Sequence, residues 1–331
     1  RMIKLIMKYK LTITALLALA VGCSSHPKSS TSVSDSLTGP TQIESAPFNV
    51  DSAYSYLKQQ VDFGKRVPNS DAHAQCKSWL VEKLKSWGYN VQIQSFPGKD
   101  YWGKSTTGYN IIASLDPENK DRQLFMAHWD TRPIADEDSN SDVRQQPIDG
   151  ADDGASGVGV LLELARQFSQ SKPSFGVDFV FFDLEDGGSS GDEDSWCLGS
   201  QYWSKHPHTA NYTARGGVLL DMVGARDARF HWEGNSKSYA APLMMDLWDT
   251  ARALGHTTYF KSSDGGAMID DHVPVIQNLG IPCVDIINYS TEEERMGFGS
   301  HWHTQQDNLK IIDKATLQAV GQTLITYFKK Q

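Results

Sequence analysis

Apolar positions recur at helical spacing over residues 52–67 and again over 71–87, with Pro68-Asn69 breaking the two runs apart. Residues 90–96 alternate between apolar and polar as a half-buried strand does. Residues 110–115 and 124–127 are short apolar runs of strand type, and 157–168 return to helical spacing. The run Val-Asp-Phe-Val-Phe-Phe at 177–182 reads as a buried strand. Residues 218–223, 242–254, 283–287 and 314–328 then follow as strand, helix, strand and helix. Such alternation predicts an α/β sheet with helices on both faces. No linker interrupts it, so one folded domain is expected.

In the first 23 residues the pattern changes. Lys8 and Lys10 precede an apolar run over 11–22, too short to span a bilayer but long enough for a signal-peptide core. It ends Leu19-Ala20-Val21-Gly22-Cys23. Small residues before a cysteine resemble the bacterial lipoprotein cleavage box, which predicts lipid attachment at Cys23 and a periplasmic or cell-envelope location, anchored to a membrane. Residues 24–47 are rich in Ser, Thr and Pro and bury little apolar surface, so a flexible tether is expected there. The catalytic domain is then expected over residues 48–331.

Composition narrows the function classes. Hydrophobic residues make up 39% and charged residues 21% of the 331, ordinary values that exclude a mostly disordered chain or a polytopic membrane protein. The 31 Lys and Arg against 40 Asp and Glu leave a net charge of −9, and no basic block is present. Nucleic acid is therefore not an expected partner. Cys76, Cys197 and Cys283 are widely spaced, without a Cys-x-x-Cys pair, which argues against a thiolate metal site and for buried free thiols.

The chemistry gathers behind the predicted strands. His128-Trp129-Asp130 follows one, Asp183-Leu184-Glu185-Asp186 another and Asp221 a third, and His301-Trp302-His303-Thr304 lies near the C-terminus. The loop 150–157, Gly-Ala-Asp-Asp-Gly-Ala-Ser-Gly, opens a helix. In open α/β sheets sites collect at the carboxyl ends of strands. One Asp after a strand is ordinarily a turn or cap residue; five such clusters in one chain are not. Carboxylates crowded into one crevice repel unless a cation neutralises them. Carboxylate and imidazole ligands without thiolate suit a catalytic Zn²⁺ with an open position. Adjacent Glu185 and Asp186 can divide labour, one on the metal and one free as a base.

Taken in order, HWD, GADDGASG, FFDLED, LLDMVG and WHT resemble the zinc aminopeptidase superfamily. Asp-Asp-His-Val-Pro at 270–274 is similar to the DDHIP segment of its animal-type glutaminyl cyclase branch, also found in bacteria, and Trp302 before His303-Thr304 fits the same branch. The resemblance implies a mixed, mostly parallel sheet. It implies one Zn²⁺ per chain on Asp153, Asp186 and His303, with Asp186 standing where the animal enzymes have Glu. It gives Glu185 the role of acid/base, supported by Asp221 and Asp270, and makes Trp302, Phe298 and Trp196 the substrate-pocket walls. The implied reaction closes the N-terminal Gln of peptides or proteins to pyroglutamate with release of ammonia. Two rivals share much of the pattern: an aminopeptidase with a second zinc at His128 and Asp221, and a non-catalytic surface lipoprotein.

Overall fold

The protein, seen in a computed structural model, is described here over residues 44–331; Cys23, the expected signal segment and most of the expected tether lie outside these residues. Two helices come first: α1 (Val50–Asp62), whose first turn is capped by Asn49 accepting from the Ser52 N–H, and α2 (Asp71–Ser86), capped by Ser70 on the His73 N–H. Between them Asn69 takes a left-handed φ of 67°, which ends any helical continuation. The six-stranded sheet holds β1 (Asn90–Lys99), β2 (Ser105–Leu115), β3 (Arg122–His128), β4 (Gly176–Phe182), β5 (Gly216–Asp221) and β8 (Cys283–Ile287), in the order β1-β2-β4-β3-β5-β8. The β1–β2 and β2–β4 pairs are antiparallel; β3–β4, β3–β5 and β5–β8 are parallel. A second, two-stranded sheet pairs β6 (Phe230–Glu233) with β7 (Phe260–Gly266).

Helices cover both faces, as the alternation predicts. One core joins α1, α2, α3 (Ala155–Gln170), α6 (Ala241–Ala253) and α8 (Lys314–Phe328) to Phe125, Phe179, Val218 and Val284 of the sheet. On the other face α4 (Leu198–Lys205) and α7 (His272–Leu279) bury Trp203, Val275 and Ile276 against Val180, Phe182 and Leu219. Successive residues of a strand point to opposite faces, which is why Phe179 and Phe181 lie in one core and Val180 and Phe182 in the other.

Several elements were not read from the sequence: α4, α5 (Gly234–Tyr239), β6, β7 and α7. They are short, and β7 (Phe-Lys-Ser-Ser-Asp-Gly-Gly) has no apolar alternation to betray it. α1 stops at Asp62, earlier than expected, and β2 starts at Ser105, earlier than the apolar run. Ser45 and Ala46 already bond to α8, just ahead of the expected domain start at Phe48.

Charge is distributed unevenly between the two ends of the sheet. Toward the amino end of β4, the buried Asp178 receives a two-pronged bond from Arg122 at 2.6 and 2.8 Å and a Tyr212 hydroxyl at 2.8 Å. That carboxylate is neutralised in place. At the carboxyl ends of β3, β4 and β5 the acids are more numerous, and the nearby Arg132 reaches the Asp186 carboxylate only at 3.9 Å.

Candidate active site

Four chain segments converge at the carboxyl edge. The first is the turn into α3. Gly154 has a φ of 96°, and a Cβ on Gly157 would lie 2.3 Å from the Leu220 carbonyl oxygen. Those two glycines let the start of α3 approach the end of β5. No side chain caps α3. Instead the Asp153 carboxylate turns into the crevice, while Asp307 holds the loop by accepting the Asp152 and Asp153 N–H groups at 2.7 and 3.1 Å. Asp152 is a loop-former: it accepts from the Gly224 and Ala225 N–H groups at 2.7 and 2.9 Å and contacts His301 Nε2 at 2.8 Å.

The second segment follows β4. Leu184 takes a left-handed φ of 56°, and Asp130 accepts the N–H groups of Glu185 and Asp186 at 3.2 and 3.3 Å. The turn throws Glu185 and Asp186 into the crevice side by side. The third segment carries His303, itself left-handed with a φ of 54°. Its Nε2 lies 3.2 Å from Asp186 Oδ1 and 3.8 Å from Asp153 Oδ2. Asp153, Asp186 and His303 thus offer ligand atoms that all lie within 4.8 Å of one another. All three residues are buried, and Asp186 Oδ2 has no hydrogen-bond partner. A buried, unpartnered carboxylate oxygen beside an imidazole nitrogen and a second carboxylate fits a divalent cation of the zinc type. His301, the other histidine of the segment, is committed to Asp152 instead.

The fourth segment brings Asp221, at the end of β5, to 3.3 Å from His128 Nε2, which also lies 3.0 Å from Asp153 Oδ1. His128, Asp153 and Asp221 therefore form a second group that shares Asp153 with the first. Burial works against a charged His128, but Glu185, Asp130, Asp153 and Asp221 together raise its pKa well above the ordinary value.

Glu185 is 12% exposed and belongs to neither group. Its Oε2 is 3.8 Å from His128 Nδ1, and its Oε1 accepts from the Cys197 thiol at 3.3 Å. Burial raises its pKa well above the usual carboxylate range; His128 opposes this, and Asp186, Asp271 and Asp270 add to it. Asp270 gathers with Glu185 and Cys197. Its side chain does not cap α7: one oxygen accepts from the Asp271 N–H at 2.6 Å and the other has no partner. Burial first, then Asp221, pushes Asp270 up to about 7. Asp221 is linked to this set through His128 and is raised to about 6, chiefly by burial.

The expected aromatic residues meet around His303. The Trp302 ring stacks on the imidazole at 3.7 Å between centroids, and the Trp196 ring lies near-parallel to it at 6.1 Å. Phe298 packs on Trp302 at 4.8 Å. All three side chains are half-buried, so they present a wall to solvent as well as to the core.

Sequence reasoning missed several participants. Cys197 was read only as a buried thiol, and it is one, but it also touches Glu185. Asp307 has no motif around it. Behind Asp270 lies a buried chain in which His272 Nε2 meets Glu233 Oε2 at 3.0 Å and its Nδ1 lies 3.7 Å from Asp285. His272 was visible in the DDHVP segment, whereas Glu233 and Asp285 come from strands whose pattern signals only burial.

Residues 110–328 match the sequence model of peptidase family M28. A glutaminyl cyclase from Porphyromonas gingivalis, of known crystal structure, is 56% identical, with a TM-score of 0.83 over 86% of this chain and 99% of that one. A Zn-dependent exopeptidase from Parabacteroides distasonis is 47% identical, with a TM-score of 0.84 over 87% and 100% of the two chains. The glutaminyl-peptide cyclotransferase of Drosophila melanogaster is 26% identical over 288 residues, 79% of this chain and 76% of the relative.

Proposed function

The chain belongs to peptidase family M28, and from that premise we propose that it acts as a glutaminyl-peptide cyclotransferase, closing the N-terminal Gln of peptides and proteins to pyroglutamate. The observation that carries this reading is the 56% identity over 99% of a glutaminyl cyclase. The site geometry supports it, with an acid outside the two groups that share Asp153 and with aromatic rings gathered around His303.

In the reaction the α-amine of the terminal Gln attacks its own side-chain amide carbon, and the amide nitrogen departs as ammonia. Asp153, Asp186 and His303 would hold one zinc, which when bound supplies a Lewis acid for the side-chain carbonyl oxygen. Trp302, Trp196 and Phe298 confine the side chain so that amine and amide carbon meet in a near-attack arrangement. Glu185 takes the proton from the attacking amine and returns it to the leaving nitrogen. A pKa raised above the usual carboxylate range brings Glu185 closer in basicity to the group it returns the proton to. Asp270, with Asp186 and Asp271, sustains the raised value by keeping negative charge close, and Asp221 joins the set through His128. His128 lies in contact with Asp153 and Asp221, the group a dinuclear site would use for its second metal.

The purified protein should convert a Gln-initiated peptide to its pyroglutamyl form with the mass loss of one ammonia, and should leave Leu-initiated peptides intact. Product mass spectrometry, read beside zinc stoichiometry, decides the matter. Free N-terminal amino acids with two zincs per chain would make it an aminopeptidase. Inertness toward both substrates at full zinc occupancy would make it a binding protein.

The location follows from the N-terminal pattern. Cys23 carries the lipid, the Ser/Thr/Pro-rich residues between it and Ser45 act as the tether, and the domain works in the periplasm or cell envelope. No helix among the described residues is long and apolar enough to cross a membrane. Cys23→Ala should therefore move the protein from the membrane fraction to the soluble one with cyclase activity intact. A variant that still sediments, together with a wild type that carries no lipid by mass spectrometry, would remove the anchor from this account.

A further inference from the structure

The loop after β3 touches two of the three segments that carry the proposed ligands, those of Asp186 and His303. Arg132 is buried, and its guanidinium forks onto Asp136 at 2.7 Å through both Nε and Nη2. Its remaining nitrogen donates to the carbonyl oxygens of Asp186 at 2.9 Å and Gly188 at 3.2 Å. Its charge also lies 4.9 Å from the Trp196 ring centroid. Asp136 faces His303, with Oδ1 3.4 Å from Nδ1, the ring nitrogen directed away from Asp153 and Asp186. The same loop grips the His303 segment through its backbone. The Glu137 N–H donates to the His303 carbonyl at 3.2 Å, and Asp138 accepts the Gln305 N–H at 2.9 Å.

We propose that Asp136, clamped by Arg132, is a positioning residue that fixes His303 as the Nδ1–H tautomer with Nε2 free for the metal, and that Arg132 registers the Asp186 loop against it. This rests on the ligand set assigned above. An imidazole binds metal through a lone pair, and the tautomer is set by the partner of the other nitrogen; a carboxylate there holds the proton and raises the basicity of the ligating nitrogen. A guanidinium fork keeps that carboxylate ionised and fixed in direction. The clamp also bears on the short arm of Asp186. With the Asp186 N–H held by Asp130 and its carbonyl by Arg132, the backbone itself is placed for a ligand one methylene shorter than Glu.

The test compares the full-length wild type with Asp136→Asn, an isosteric change that removes the anion and offers His303 an amide donor or an uncharged oxygen. Zinc affinity, measured by competition with a chromogenic chelator, should fall by about 10–100-fold, the range for lost outer-shell carboxylates. The zinc-free variant should melt below the zinc-free wild type, because the buried Arg132 loses its ionised partner, and the rise in melting temperature on adding zinc should also shrink in the variant. Zinc affinity within about twofold of wild type would overturn the proposal. Should the variant fail to fold, ¹⁵N spectra of the zinc-loaded wild type decide: a His303 protonated at Nδ1 supports the proposal, and one protonated at Nε2 overturns it. His303→Ala separates the two levels of inference. If it keeps zinc, the ligand set itself is wrong; if it loses zinc while Asp136→Asn keeps it, only the positioning role fails.

Discussion

Glu185→Gln should retain zinc and lose turnover by about 10²–10⁴-fold, the scale of a general acid–base contribution. The substitution keeps the shape of the side chain. Its oxygen can still accept from the Cys197 thiol, which sits 3.3 Å from Oε1. It removes one negative charge from a crevice where Asp186, Asp270 and Asp271 already repel it, so neither folding nor metal binding has a reason to suffer. The variant lacks only a group able to take a proton from the attacking amine. Zinc content by elemental analysis and kcat on a Gln-peptide check both halves. Near-normal turnover would end the role assigned to Glu185. Loss of metal would mean that Glu185 holds the ion, and retention of metal by Asp186→Ala would complete that exchange of roles.

His303→Ala and Asp186→Ala should instead strip the metal, and activity with it. The two side chains face each other at 3.2 Å, and each supplies a donor that no neighbour replaces. His301 cannot substitute for His303, because its Nε2 is held by Asp152 at 2.8 Å on the far side of the loop. Arg132 cannot stand in for the cation, because its two-pronged bond is spent on Asp136. The fall in zinc affinity should exceed the ~10–100-fold expected for an outer-shell change such as Asp136→Asn. Elemental analysis after dialysis against a weak chelator provides the measurement. Full zinc occupancy in either variant would sink the three-residue ligand set.

The order of strands and helices was open to sequence reading because each buried strand must be apolar on the faces it buries and each covering helix must be apolar along one stripe. Residues 177–182 and 157–168 carry that signal plainly, and β4 and α3 lie where it puts them. The candidate ligands were legible for a related reason. Chains of this architecture place polar residues where strands end, so the clusters at His128, Asp186 and Asp221 stood out, and the resemblance to a known family then marked Asp153, Asp186 and His303 as the ligands.

Other features depend on three-dimensional proximity. The short β6, α5 and β7 carry patterns too brief to separate from loop, and their pairing is made by contacts far along the chain. The WHT resemblance had already picked His303 over His301, and the structure adds its surroundings: His303, with a left-handed φ, faces Asp186, while His301 sits on Asp152. Asp307, Cys197, Arg132 and Asp136 carry no motif, since a residue that orients a ligand is defined by its distance from that ligand rather than by its neighbours in sequence. The sequence alone thus determined the kind of fold and the chemical types that meet at its edge, because burial and strand ends leave a local imprint. Which carboxylate faces which imidazole, and which arginine holds them in register, was decided only by tertiary structure, because those contacts join residues that the chain keeps as far apart as Asp136 and His303.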